Sequence, residues 1–406
     1  MTPSLKPTAY GLQTTDYRLR TEMMGFSRLL AEKRILVCCG SGGVGKTTVS
    51  AAVALAGAMA GKKVLVCTID PARRLADSLG ISSLGNEEMK IPDQAFAGAG
   101  LAPSGELWAM MLDSKRTFDE LIHRIAPSEE TRDRILANAF YQNVTTALAG
   151  SQEFSAMEKL YELATEEQWD LIVLDTPPTR QALDFLDAPG KMTAFLDAKV
   201  IQWFVKPYLK AGKMGFKFFN RSAKVMFRVL EKATGYQTLA DLADFFLVFE
   251  GMYDGFRARA QKVRELMADP GTAFLLVTSP QSPSLLEARF FLQQLKDEGL
   301  PLGGVVFNRV HFPPTDLTSD QVCAMGEKAR EAMPEYAPAI RALVNNLRLF
   351  ILLAEADKRS MARFLSQEAC AGAIGTRVPF FPADVHDLAG LAEIREYLLK
   401  EECPAD

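Results

Sequence analysis

CCGSGGVGKTTVS, residues 38–50, is the stretch on which the reading of this chain turns. Ile35, Leu36 and Val37 precede it as an apolar, strand-like run, and an Ala-rich helical pattern follows. Four glycines fall within residues 40–47. Glycine lets a backbone bend sharply and approach another group closely, so this density predicts a loop wrapped around something. Gly40, Ser41, Gly42, Gly43, Val44, Gly45, Lys46 and Thr47 fit G-x-x-x-x-G-K-[ST] between a strand and a helix, which is the context the motif requires. In such a loop, backbone amides and the start of the helix converge on phosphate oxygens. Lys46 is placed to neutralise the outer phosphates, and the Thr47 hydroxyl to ligate magnesium. The loop reads as a nucleoside triphosphate site.

Two strand-end carboxylates complete the expected chemistry. Asp175 closes the apolar run 171–174, and a carboxylate at that position supports magnesium in phosphate-loop enzymes. The competing reading is a helix-capping or turn Asp; the rigid Thr176, Pro177, Pro178, Thr179 stretch after it favours a loop that senses the γ-phosphate. Asp70 closes the run 64–69 and is followed by Pro71, Ala72, Arg73 and Arg74. Hydrolysis needs a group that orients the attacking water, and Asp70 is the candidate, with a structural Asp-Pro turn as the alternative. Thr47, Asp70 and Asp175 are the candidate metal contacts, and Lys46 with Asp70 the catalytic pair.

Aliphatic runs recur at 35–39, 64–69, 107–112, 171–174, 274–278, 304–307 and 378–381. Most lack polar alternation and are spaced for helical crossovers, which predicts an α/β, doubly wound, mostly parallel sheet flanked by helices. A formal net charge of -4 and 24% charged residues argue against a protein that is basic overall and give no support for nucleic acid as a partner. No apolar stretch reaches the ~18 to 20 uncharged residues that spanning a bilayer demands, the best being 49–60. The amino terminus lacks the apolar core of a secretory signal, so a cytoplasmic location is expected. Three of the six cysteines, Cys38, Cys39 and Cys67, lie on strand-like runs and read as small buried hydrophobes.

The segment 189–267 breaks the rhythm, with no convincing strand. Residues 191–232 hold ten Lys or Arg against two acids, with aromatics interleaved. The expected organisation is a flexible leader over 1–30, a nucleotide-binding core over 31–188 and 268–406, and a helical insertion over 189–267. Three readings compete for the insertion: a Met-bearing groove for a hydrophobic protein client, a basic aromatic face for peripheral membrane contact, and an ordinary helical core with solvated lysines.

Three stretches together resemble the arsenite-pump and tail-anchored-protein-targeting ATPase family. G-K-G-G-V-G-K-T-T matches residues 40–48, including Thr48, except at Ser41. D-P-A-H matches at Asp70, Pro71 and Ala72 with Arg73 in fourth place, and D-T-A-P-T-G-H matches from Asp175 to Thr179 before diverging. The resemblance implies an ATP- and Mg2+-dependent ATPase, dimeric with two nucleotides at the subunit interface, with Asp70 orienting water and switch loops starting at Asp70 and Asp175. It also implies adenine recognition by Asn308 and by the loop Pro379, Phe380, Phe381 and Pro382 after the last strand. Asn308 ends the run 304–307, and the stretch after it lacks the Asp of an N-K-x-D guanine reader, so ATP is preferred over GTP.

At Ser41 the family carries a lysine that reaches across the dimer. Its absence poses a heterodimer with a related ATPase that keeps the lysine, a homodimer in which Arg73, Arg74 or Arg180 supplies the charge, or a slow ATPase that uses binding as a switch. The arsenite-binding cysteines and the C-x-x-C of the zinc-joined dimer have no counterpart. A positioning or partition-type switch acting at a surface is the alternative to a client-handling enzyme.

Overall fold

A computed structural model describes residues 25–69, 74–81, 83–142, 151–176 and 252–400, with positions 241, 244, 245 and 248 between them. Asp70, Arg73, Arg180 and most of the helical insertion therefore lie outside the described residues.

Numbered over those residues, the chain runs α1 (Phe26–Glu32), β1 (Ile35–Cys39), α2 (Lys46–Met59), β2 (Lys63–Thr68), α3 (Arg74–Ser78), β3 (Met89–Lys90), α4 (Asp93–Gly98) and β4 (Glu106–Met111). It continues through α5 (Ser114–Ile125), α6 (Glu129–Leu136), α7 (Ser151–Thr165), β5 (Leu171–Asp175), α8 (Tyr253–Ala268), β6 (Thr272–Thr278) and α9 (Ser282–Asp297). Then follow β7 (Leu302–Val310), α10 (Ser319–Ala332), α11 (Ala337–Leu365), β8 (Ile374–Pro379) and α12 (Leu388–Leu399). Each of the seven expected runs overlaps a strand, but the last is displaced: β8 covers Ile374–Pro379, so Phe380 and Phe381 lie beyond it. The strands form one eight-stranded sheet in the order β3-β4-β2-β5-β1-β6-β7-β8. Every pairing is parallel except the short β3–β4 edge, which the sequence did not announce.

The strands are apolar on both faces because both faces are covered. On one side Leu36, Cys38, Val64 and Val66 pack with the Ala-rich α2 and with Leu391 and Ile394 of α12. On the other, Val37, Cys39 and Leu65 meet Leu160 of α7, Val263 of α8, Phe291 of α9 and Phe364 of α11. Neighbouring strand residues alternate between these two cores, as a two-residue side-chain repeat demands. The chain passes from β5 on one flank of β1 to β6 on the other. That reversal makes the loop after β1 the switch point at the carboxyl edge, where α/β sheets hold ligands.

Two expectations are corrected. The leader does not extend to residue 30, because Phe26, Leu29 and Leu30 of α1 are buried in the first core. The end of the segment read as an insertion is α8, whose Val263 and Met267 belong to the sheet core. Among the described residues one helix, 334–365, is long enough to cross a membrane and holds an 18-residue window of mean hydropathy 1.4. Arg341 and Arg348 hid it from a count that tolerated no charge. Its carboxyl half is a core element of the sheet: Ile351, Ala354, Met361 and Phe364 are buried, and the Phe364 ring meets Phe307 edge-on at 5.8 Å. Its amino half packs against α10, with Gly326 close to Val344, and leaves Leu343, Leu349 and Phe350 exposed.

Candidate nucleotide site

The loop leaves β1 through Gly40, at φ 149°, where a Cβ would stand 2.0 Å from the Val277 carbonyl oxygen of β6. No side chain fits there, so the first glycine is fixed by the neighbouring strand. The loop enters α2 through Gly45, in the left-handed region at φ 90° and ψ 28°. The first amide of this turn to reach an intrahelical carbonyl is Val49, bonding to Gly45. Amides ahead of it have no such carbonyl available, which makes the start of α2 an anion-binding terminus. Lys46 is buried, and its Nζ donates to the Ser41 carbonyl at 2.9 Å, which folds the cation back over the loop.

Parallel register brings the carboxylate to this loop. Asp175 pairs with Cys38 of β1 on one side and Thr68 of β2 on the other. Its side chain is fully buried and accepts from Thr47 Oγ1 at 2.8 Å and from Thr68 Oγ1 at 2.9 Å on the same Oδ2. Ser50 Oγ reaches Oδ1 at 3.4 Å and also donates to the Lys46 carbonyl at 2.9 Å. Burial pushes the neighbouring Cys38 thiol up to about 12, with Ser50 and Lys46 pulling the other way, so it stays a neutral core residue. Thr176 opens the next loop and is tied down, its Oγ1 donating to the Cys38 carbonyl at 2.9 Å. Pro177, Pro178 and Thr179 lie outside the described residues.

Asn308 sits differently from expectation. β7 runs on to Val310 rather than stopping at Phe307, and its register with β8 shifts between those two residues. Such a bulge re-aims a side chain. Arg309 adopts φ 61°, its amide donates to Asn308 Oδ1 at 3.0 Å, and Asn308 Nδ2 donates to the Val44 carbonyl at 2.8 Å. Asn308 thus braces the phosphate loop from two strands away, using one of the two amide hydrogens on Nδ2. Pro379 ends β8, and Phe380 N donates to the Val310 carbonyl at 2.9 Å. The Phe380 ring is 58% exposed, whereas Phe381 packs edge-on to Tyr397 at 6.2 Å. From β1 to β8 is three inter-strand steps of about 4.8 Å, which sets the phosphate loop and Phe380 apart along one sheet edge.

The residues present fit a nucleotide and its metal. The Ser41 hydroxyl is buried in the loop with no hydrogen-bond partner, an unspent polar group where phosphate oxygens are expected. One carboxylate with a Thr hydroxyl is a hard oxygen set of the kind Mg2+ uses while taking its other ligands from water and phosphate. Thus the structure brings together residues 40–48, Asp175 and Asn308, and sets Pro379, Phe380 and Phe381 on the same edge. Sequence reasoning missed Thr68 and Ser50. Their signals were a hydroxyl at the carboxyl end of β2 and another one helical turn beyond Lys46.

A sheet of this topology, with a glycine loop clamped between two strands and a buried lysine folded over it, defines the class as phosphate-loop nucleotide-binding proteins. The family model described as anion-transporting ATPase matches residues 33–353, and the chain belongs to that family. It is an ATP hydrolase. The chain is 28% identical over 280 residues to ATPase GET3 of Malassezia globosa, covering 69% of this chain and 73% of that one. It is 25% identical over 332 residues to the putative arsenical pump-driving ATPase 1 of Aquifex aeolicus, covering 78% and 73%. A shorter match, 33% over 172 residues, joins it to protein Rv2184c of Mycobacterium tuberculosis over 41% and 40% of the two chains.

Proposed function

We propose that this ATPase is a Mg2+-dependent dimer whose opening and closing follow the bound nucleotide and control the binding of a partner or a hydrophobic protein client. The observation that carries the reading is the Thr47–Asp175–Thr68 cluster, in which one buried carboxylate joins the phosphate loop to two strands and directly precedes the anchored Thr176. ATP would lie on the amides of residues 42–48, its charge met by Lys46; Thr47 and Asp175 would hold Mg2+, which supplies charge neutralisation on the phosphates. Within this reading Asp70 orients the attacking water, Asn308 and residues 379–381 take the adenine, and the chain works in the cytoplasm.

Displacing Thr47 from Asp175 changes what holds the end of β5, so occupancy is felt where the following loop begins. A nucleotide shifts the open–closed balance only as far as it binds the two states differently. Partner choice follows the same rule. Arg74 lies on α3 at the start of the post-β2 segment, where a switch-loop cation would replace the lysine that Ser41 lacks.

The test is calorimetry with ATP and Mg2+ on the full chain and on Lys46→Ala, joined to co-purification with Asp70→Asn in ATP. The variant is expected to lose about a hundredfold or more in affinity, about 2.7 kcal/mol. The trapped protein is expected to retain proteins with apolar segments, or a second ATPase if the active form is a heterodimer. An unchanged isotherm would sink the nucleotide reading. Recruitment to anionic vesicles with no capture of apolar segments would replace client handling with a surface-positioning switch.

A further inference from the structure

The loop after β8 is braced by a residue of α11, a helix on the outer side of the sheet. His311, directly after β7, donates its backbone amide to Asp357 Oδ2 at 2.9 Å, and its Nδ1 lies 2.8 Å from the same oxygen. The imidazole is stacked on Phe380, with centroids 6.0 Å apart and planes 15° from parallel. Phe380 is held from its own backbone by Val310, so ring and chain are both fixed while the ring stays largely exposed. Behind them Phe312 and Phe381 both contact Tyr397 of α12. Asp357 belongs to α11, 46 residues beyond His311, so the helix sets the ring from outside the sheet.

We infer that Asp357 is a positioning residue for the nucleobase: through His311 it holds Phe380 as a stacking plate for the base of the nucleotide whose phosphates lie on residues 40–48. The inference rests on the proposed nucleotide site. An aromatic plate gains most when its own motion is already frozen before the ligand arrives, because ordering it on binding would consume part of the stacking energy. Here the freezing comes from a carboxylate that takes two hydrogen bonds on one oxygen, backbone and side chain of the same histidine. Ligand recognition at the sheet edge thereby depends on the seating of the α10–α11 hairpin, whose amino-terminal half is exposed.

The experiment compares ADP with inorganic tripolyphosphate, each with Mg2+, by calorimetry on the full chain. Removing one base-stacking partner costs about 5- to 100-fold in affinity, so Phe380→Ala should weaken ADP within that range and leave tripolyphosphate within about twofold. His311→Ala and Asp357→Ala should follow the same pattern at its lower end, about fivefold, whereas Asp357→Asn, which keeps an acceptor, should recover most of the loss and His311→Phe, which keeps the stack but not the side-chain bond to Asp357, only part of it. Asp357→Ala binding ADP as the wild type does would overturn the inference, as would equal losses for ADP and tripolyphosphate, which mean general damage. A wild-type chain that binds neither probe would overturn the nucleotide site itself.

Discussion

Gly45 carries two constraints that a motif match alone does not separate. Its backbone is left-handed at φ 90°, and a Cβ would lie 2.3 Å from Asn308 Nδ2. Gly45→Ala should therefore destabilise the fold by about 1–3 kcal/mol and weaken nucleotide binding, through strain and through loss of the brace. Asn308→Ala in the same chain removes the clash but not the strain. The double variant should be less destabilised than the sum of the two single changes, measured by denaturant unfolding. Additivity would mean that the brace is idle. The strand cysteines give a second residue-scale check. Cys38, pushed up to about 12 by burial, and Cys39 and Cys67, raised by the same cause, should resist alkylation in the native protein at pH about 8. Half-buried Cys323 on α10 should be modified before these three, as read by peptide mass spectrometry. Faster labelling of Cys38 would mean that β1 opens. At this scale the loop was legible in sequence because its nine residues are contiguous. The brace from Asn308 was not, because 264 residues separate it from Val44, and only the bulge in β7 brings the two together.

Among the elements, α5, α7 and α8 are joined by charge as well as by packing. Glu158 of α7, 1% exposed, accepts from Arg259 Nε of α8 at 2.6 Å, and the Arg259 guanidinium also lies over the Tyr161 ring at 4.1 Å. One turn on, Arg124 of α5 and Lys159 of α7 pair with Glu162. Burial raises Glu158 above the ordinary carboxyl range, and Arg259 offsets part of that rise. For Glu162 burial also pushes upward, but the bonds from Arg124 and Lys159 outweigh it and hold the group low. Removing Arg259 leaves a buried carboxyl without its counter-charge, a loss of about 3–5 kcal/mol in comparable cases and nearer the lower figure here because Arg259 is partly exposed. The sign with pH follows from the direction of the shift. A carboxyl raised in the folded state contributes fully below its unfolded value and loses that contribution as pH rises through the folded one. Arg259→Ala raises Glu158 further, so its deficit against wild type should be smallest in acid and grow toward neutrality in urea melts. A deficit that shrinks with rising pH would reverse the assignment. Strands and their burial were readable because each run is apolar throughout, while α11 was not. Its apolar residues are split by Arg341 and Arg348, and its two halves have different partners, α10 for the first and the sheet for the second.

For the whole molecule, α/β class followed from the spacing of seven runs, but strand order did not. The order β3-β4-β2-β5-β1-β6-β7-β8 depends on which crossovers pass over which face, a choice made by packing between distant residues. Dimerisation stands at the same remove from sequence, and it has a thermodynamic signature that does not require knowing the interface. Any ligand that binds only the folded state raises stability by RT ln(1 + [L]/Kd), about 2.7 kcal/mol at a hundredfold excess over Kd. ATP with Mg2+ should raise the melting temperature, and Lys46→Ala should abolish the rise. In a dimer the partner subunit is itself a ligand, so the melting temperature in ATP must climb with protein concentration. The nucleotide-free chain should also melt higher as its concentration rises over about a hundredfold range, because the proposed dimer stands open before nucleotide closes it. Scanning fluorimetry reads both slopes directly. A rise in ATP that does not depend on protein concentration would leave a nucleotide-binding monomer, with the switch confined to the loop after Asp175. A slope that appears only with ATP would mean that nucleotide assembles the dimer rather than closing a standing one.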